Sequence, residues 1–214
     1  MNVMFDLDGT LIDSAADIRA TVNAVLADEG LESFDLDTVR GFIGRGVPYL
    51  MDQVLRARGI DDPARSERMA ANMLSRYEDA VELTRLYPNV LQTLDILRQD
   101  GHRMAVCTNK PTGAARAVLR HLGLDGYFVS VTGGDSGLPR KPYPAMLLHT
   151  RRKLGEGAAI YIGDSEVDAA AAEAANLPFL MFTEGYAHIP FDRLRYRALF
   201  SDFAELPELI RAAA

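Results

Sequence analysis

Asp6-Leu7-Asp8-Gly9-Thr10-Leu11 closes a short apolar opening, Val3-Met4-Phe5. Side chains alternate along a strand, so two carboxylates two residues apart at its end project the same way. Gly9 lets the chain turn tightly behind them. One carboxylate can then serve as a nucleophile and the other as an acid/base beside it, which is the chemistry of phosphoryl transfer. Three other groups could join this pair: Thr108-Asn109-Lys110, Arg140-Lys141-Pro142-Tyr143-Pro144, and Gly163-Asp164-Ser165 with Asp168 four residues after Asp164.

These groups need a scaffold that brings distant parts of the chain to one edge. From Tyr87 onward, apolar runs alternate with helical patterns. Strands are expected at Arg103–Thr108, Phe128–Thr132, Ala159–Gly163, Phe179–Phe182 and Ala198–Phe200, with the first at Asn2–Leu7. Helices are expected at Val90–Gln99, Gly113–His121, Ala145–Lys153, Glu166–Ala175 and Leu206–Ala213. This alternation implies an α/β fold, a Rossmann-like parallel sheet covered on both faces. Ligands of such sheets bind at the carboxyl ends of the strands, where the four polar groups fall.

The stretch from about Ser14 to Leu86 lacks good strand signals. Ala15–Glu29 has helical periodicity, with Ile18, Val22, Val25 and Leu26 on one side, Ser14 and Asp17 as a capping box and Gly30 as a stop. Leu36–Ile43, Val47–Arg58 and Ala64–Leu83 also read as helical. The expected organisation is a catalytic core of residues 1–13 and 86–214, with residues 14–85 inserted as a helical cap.

Composition narrows the partners. A chain of 214 residues with 48% hydrophobic residues can build a packed core, and its net charge of −7 offers no basic footprint for nucleic acid. No apolar run approaches the ~18 residues of a membrane span, and Asp6 interrupts the N-terminal apolar stretch before it could act as a signal peptide. The single Cys107 cannot form an intramolecular disulfide. The expectation is a cytoplasmic protein, monomeric or homodimeric, that binds neither nucleic acid nor membrane.

Each motif alone has an ordinary reading. Asp-Gly-Thr is a common turn signal, Lys141 could be a solvated loop residue, and Asp164 and Asp168 could be acids serving a helix dipole. The spacing excludes an EF-hand, because Gly9 is fourth from Asp6, and a nucleophile elbow, because Val167 stands where a second Gly is needed. Gly41, Gly44 and Gly46 do not form the dinucleotide spacing, and the four His residues show no metal pattern.

The ordered set, with its helical insertion after the first motif, resembles the haloacid dehalogenase superfamily on its phosphatase side. The resemblance covers essentially the whole chain. It implies that Asp6 attacks phosphorus to form an aspartyl-phosphate, while Asp8 protonates the leaving oxygen and later activates water. It implies Mg²⁺ held by Asp6, the backbone carbonyl of Asp8 and Asp164, with Asp168 behind them. Thr108 and Lys141 would hold and neutralise the phosphoryl group, and Asn109 and Lys110 would also contact the substrate, a small phosphorylated metabolite. True dehalogenases lack an acid two residues after the nucleophile, so Asp8 favours phosphate monoesters.

The segment Phe42-Ile43-Gly44-Arg45-Gly46-Val47 resembles the glycine-containing cap loop of bacterial phosphoglycolate phosphatases. That likeness implies 2-phosphoglycolate as substrate, with Arg45 on its carboxylate. Thr183-Glu184-Gly185-Tyr186 departs from the Thr-Tyr-Gly-Tyr ending usual there. The alternatives are a phosphomutase, a pyrophosphatase or generalist sugar or nucleotide phosphatase of the same superfamily, and an inactive binding module.

Overall fold

A computed structural model describes residues 1–213. In chain order the elements are β1 (Asn2–Phe5), β2 (Ile12–Asp13), α1 (Ala15–Asp28), α2 (Leu36–Arg40), α3 (Val47–Arg56), α4 (Pro63–Arg76), β3 (Arg85–Leu86), α5 (Val90–Gln99) and β4 (Arg103–Cys107). There follow α6 (Thr112–His121), β5 (Phe128–Thr132), α7 (Ala145–Leu154), β6 (Ala159–Gly163), α8 (Glu166–Ala174), β7 (Phe179–Phe182), β8 (Ala198–Phe200) and α9 (Leu206–Ala213). Among the described residues, no helix is long and apolar enough to cross a membrane.

Six parallel strands form one sheet in the order β5-β4-β1-β6-β7-β8. Period-two alternation divides β1 between the two faces. Val3 and Phe5 join the cluster that includes Leu94, Val118 and Ile210, while Met4 joins Met146, Leu147 and Ala172 opposite. Burial on both faces explains why β1, β6 and β7 are nearly continuous apolar runs. Each fully buried Leu, Ile or Phe contributes roughly 1.5–3 kcal/mol. The chain winds away from β1 in both directions, so the crevice at the carboxyl end of β1 is the topological switch point.

The helices between β2 and β3 bury a third cluster, including Ile18, Val22, Leu26, Leu50, Met51, Val54, Met69 and Met73, together with Ala114 of α6. The short antiparallel pair β2–β3 joins Ile12 to Leu86 and Asp13 to Arg85 where the chain leaves the sheet and returns to it.

Several local expectations need correction. α2 stops at Arg40, and turns fill the segment up to Gly44. α4 ends at Arg76 rather than Leu83, because the Leu83 and Thr84 amides are drawn to Asp17 Oδ2 at 3.0 and 2.7 Å. That tertiary bond also removes Asp17 from the expected capping box. Ser14, its other member, donates instead to Asp8 Oδ1 at 2.6 Å. Gly30 does end the α1 turn, in the left-handed region at φ 67°.

Candidate active site

The carboxyl ends of three adjacent strands bring the distant motifs together. Asp6 follows β1, and its amide donates to Ile162 of β6 at 2.8 Å. The carbonyl of Leu7 then accepts from the amides of Thr10, Leu11 and Ile12, closing a tight loop. Gly9 sits in it at φ 84°, where a side chain would strike the Asp164 carboxylate and the Tyr186 ring. Thr108 ends β4, Asp164 ends β6, and the loop before α7 delivers Lys141.

Lys141 is fully enclosed, with its side chain 1% exposed. Its Nζ lies 2.6 Å from Asp168 Oδ1, 2.9 Å from Asp6 Oδ1 and 2.9 Å from the Tyr161 hydroxyl. The Tyr161 hydroxyl donates to the same Asp168 oxygen at 2.7 Å. Asp168 Oδ2 accepts from the amide and hydroxyl of Ser165, forming the capping box that starts α8. One carboxylate thus both starts a helix and fixes an ammonium. Burial alone would lower the Lys141 pKa, but the Asp168 and Asp6 charges overcome it and raise it. Burial likewise opposes the Asp168 charge, and Lys141 overcomes that and holds its pKa below the usual value.

Burial pushes Asp6 up to about 7, against the pull of Lys141. Asp164 is raised well above the carboxylate range by burial, then by the neighbouring charges of Asp168 and Asp6. Asp164 accepts from Thr10 Oγ1 at 2.6 Å and from the Tyr186 amide at 2.7 Å. Oxygens of Asp6, Asp164 and Asp168 all lie within 4.8 Å of one another. Three carboxylates against one ammonium leave an excess of buried negative charge, and Asp6 Oδ1 accepts no hydrogen bond despite its ion pair with Lys141. An all-oxygen set with an orphaned carboxylate oxygen fits a hard divalent cation. Each Asp168 oxygen already accepts two protein hydrogen bonds, whereas each Asp164 oxygen accepts one and Asp6 Oδ1 none, so Asp6 and Asp164 keep the lone pairs suited to ligation.

On the side of the site facing α1–α4, Asp8 accepts from Lys110 Nζ at 3.1 Å as well as from Ser14. That ammonium also stands 4.1 Å from the ring centre of Tyr77, which follows α4. A cavity of ≈ 420 Å³ of empty space, its mouth included, separates these groups from the helical layer; Asp6, Asp8, Ile18, Phe42, Tyr77 and Lys110 are among its lining residues. Thr108 also lines it and takes the Lys110 amide on its Oγ1 at 3.2 Å.

Two expected substrate contacts, Asn109 and Arg45, engage protein groups, and Asn109 also lines the cavity. The Asn109 amide is occupied: it donates to the carbonyls of Gly44 and Lys141 at 2.9 and 3.0 Å and accepts from the Lys141 amide at 3.0 Å. It ties the sheet to the loop after α2. Arg45 is exposed, with its guanidinium over the Tyr49 ring at 5.3 Å, outside the residues that line the cavity.

Residue-type reasoning passed over three tyrosines. Tyr161 and Tyr77 hold the two lysines, and Tyr186 links β2 to the acidic cluster. The Tyr186 hydroxyl donates to Asp13 Oδ1 at 2.6 Å and accepts from the Ser14 and Ala15 amides. The usable signal was a phenol within an apolar strand, as at Tyr161, because a buried hydroxyl needs a partner. Cys107, at the end of β4, is free and buried, and burial pushes its thiol up to about 12.

The family model of a haloacid dehalogenase-like hydrolase matches residues 1–176. A phosphoglycolate phosphatase of Cereibacter sphaeroides (strain ATCC 17029 / ATH 2.4.9) is 49% identical over 211 residues, covering 98% of this chain and 97% of its own. One from Rhodospirillum rubrum is 38% identical, over 95% of this chain and 88% of its own. A crystal structure from Haemophilus somnus 129PT, described as a predicted phosphoglycolate phosphatase, superposes with a TM-score of 0.89 at 30% identity, covering 98% of this chain and 97% of that one. The chain therefore belongs to the haloacid dehalogenase-like hydrolase family. Within that family it is an enzyme of the phosphatase kind, a phosphoric monoester hydrolase.

Proposed function

We propose that the protein is a Mg²⁺-dependent phosphatase that hydrolyses 2-phosphoglycolate through an aspartyl-phosphate on Asp6. In this reading residues 1–13 and 86–214 are the catalytic core, and residues 14–85 form a cap that encloses the leaving group. The observation that carries it is Asp6: its buried Oδ1 accepts no hydrogen bond and pairs with Lys141, and the residue lines a small cavity together with Asp8. The relatives named above supply the substrate.

Asp6 and Asp164, with the Asp8 backbone carbonyl, would hold Mg²⁺, which when bound neutralises charge on the carboxylates and a phosphoryl oxygen. Lys141 draws negative charge from the phosphoryl group and keeps the Asp6 carboxylate in place, itself anchored by Asp168 and Tyr161. The Thr108 hydroxyl has a hydrogen to donate to a phosphoryl oxygen. An Asp6 oxygen forms a bond to phosphorus as the ester P–O bond breaks, and Asp8 in its acid form gives its proton to the departing alkoxide oxygen. Asp8, now a carboxylate, takes a proton from water. The water oxygen bonds to phosphorus, the P–O bond to Asp6 breaks, and phosphate leaves.

The test is phosphate release from 2-phosphoglycolate, pyrophosphate, sugar phosphates and nucleoside monophosphates, with Mg²⁺ and with chelator. The expected result is metal-dependent release that prefers 2-phosphoglycolate and is lost, by roughly 10⁴-fold or more, in a D6N variant that still melts cooperatively. Metal-dependent turnover retained in D6N would sink the mechanism. Equal release from all esters would reduce the substrate assignment to a generalist.

A further inference from the structure

We infer that Lys110, rather than Arg45, is the residue that reads the charge of the leaving group, and that it selects esters whose alcohol carries a carboxylate on the carbon next to the ester oxygen. This deepens the proposed function and rests on it.

Lys110 is the only cationic residue among those lining the cavity. Its side chain is 3% exposed, and its ammonium is held between the Asp8 carboxylate and the face of Tyr77. An ammonium carries three N–H groups. Asp8 is the only hydrogen-bonding partner of this Nζ among the described residues. The Asp8 carboxylate and the Tyr77 face therefore leave it a donor for an anion. Arg45, the cation expected to read the substrate carboxylate, is turned out onto Tyr49.

Position fixes how long the substrate can be. In the proposed mechanism Asp8 serves the leaving oxygen, so that oxygen lies beside the Asp8 carboxylate. Lys110 Nζ is 3.1 Å from the same carboxylate. With the ester oxygen on Asp8 and a negative group on Lys110, the two are separated by about one carbon, given hydrogen bonds of ~2.7–3.2 Å on each side. A two-carbon hydroxy acid meets that condition. The extended, neutral chain of a sugar does not, and would meet Ile18, Phe42, Ile43, Val47 and Leu50 instead. Discrimination should be strong because these walls exclude water from the charge.

Two substrates with the same phosphoryl group separate this role from catalysis: 2-phosphoglycolate and ethyl phosphate, which carries a methyl group in place of the carboxylate. The quantity read is the ratio of their kcat/KM values, in wild type, K110M, K110R and R45A. In K110M both rates fall, because Asp8 loses a neighbour. The ratio should fall by at least about 30-fold, the effect of truncating one partner of a buried charge pair, and most of that change should lie in KM for 2-phosphoglycolate. K110R should restore part of the preference, and R45A should keep it. Should K110M not melt cooperatively, K110Q, which keeps a donor for Asp8, is read in the same way. A preference that survives K110M, or that disappears in R45A, overturns this inference while leaving the proposed substrate intact. No preference in wild type overturns the substrate and the inference together.

Discussion

The two buried lysines of the site are built in opposite ways. Every group that holds Lys141 belongs to the sheet, its loops or the helix that follows β6: Asp6, Asp168 and Tyr161. Lys110 is bonded to Asp8 on the sheet side, but its other face rests on Tyr77, which enters from the helical layer. The first lysine is placed once the strands pair. The second is fully placed only when the helices are seated. In the proposed function, groups that act on every phosphate ester are thus rigid, while the one assigned to the alcohol is assembled across a boundary between two packed clusters.

The largest way to test this contrast is K141M. Losing the ammonium leaves Asp6, Asp164 and Asp168 facing one another, so turnover should fall by ~10³-fold. The metal-free protein should lose roughly 3–5 kcal/mol in a denaturant melt. Next comes Y77A, which should raise KM for the preferred ester by about 10-fold while changing kcat much less, since a cation–π contact of this kind is worth on the order of 1–2 kcal/mol. Y77F keeps the ring and should stay near wild type. A Y77A variant as damaged in kcat as K141M would erase the distinction. Y186F removes the hydroxyl shared by Asp13 and two amides. It should cost about 1–3 kcal/mol of stability, read as a lower denaturation midpoint.

The smallest effect is on pH. Asp6 titrates near 7 in the folded protein against 3.8 as its ordinary value, chiefly because burial penalises its charge. A raised acid stabilises the fold below its unfolded pKa, and that contribution is lost as pH climbs through the folded one. In chelator, the melting temperature should therefore fall by several degrees between pH ~4 and ~7, and D6N should flatten the decline. A wild-type curve that rises over this window would contradict the burial of an uncompensated carboxylate.

The sheet was legible in the amino-acid sequence because burial on both faces turns strands into apolar runs; Phe128–Thr132, Ala159–Gly163 and Phe179–Phe182 have the expected limits. β2 and β3 were not, because two residues carry no periodicity. The overlong reading of α4 has a physical cause as well. Tyr77 to Leu83 contains ordinary helix-compatible residues, and only Asp17, 66 positions before Leu83 in the chain, supplies the bonds that draw Leu83 and Thr84 out of helix. In the candidate site, Asp6, Asp8, Thr108, Lys141, Asp164 and Asp168 could be picked out by type and order, and they stand together. The direction in which Arg45 turns, the partners that occupy Asn109 and the tyrosines that hold both lysines depend on packing between segments. No local pattern encodes that.

The paired crossings at Ile12–Asp13 and Arg85–Leu86 have a consequence for how this chain could be rebuilt. Neighbouring strands lie ~5 Å apart, so a segment spliced between them needs only to bring its own two ends that close. The entropy of closing such a loop grows slowly with its length. In topological terms the four helices are exchangeable cargo. The same splice would accept a shorter, longer or differently folded passenger, and new termini opened between α2 and α3 would leave every strand of the sheet uncut.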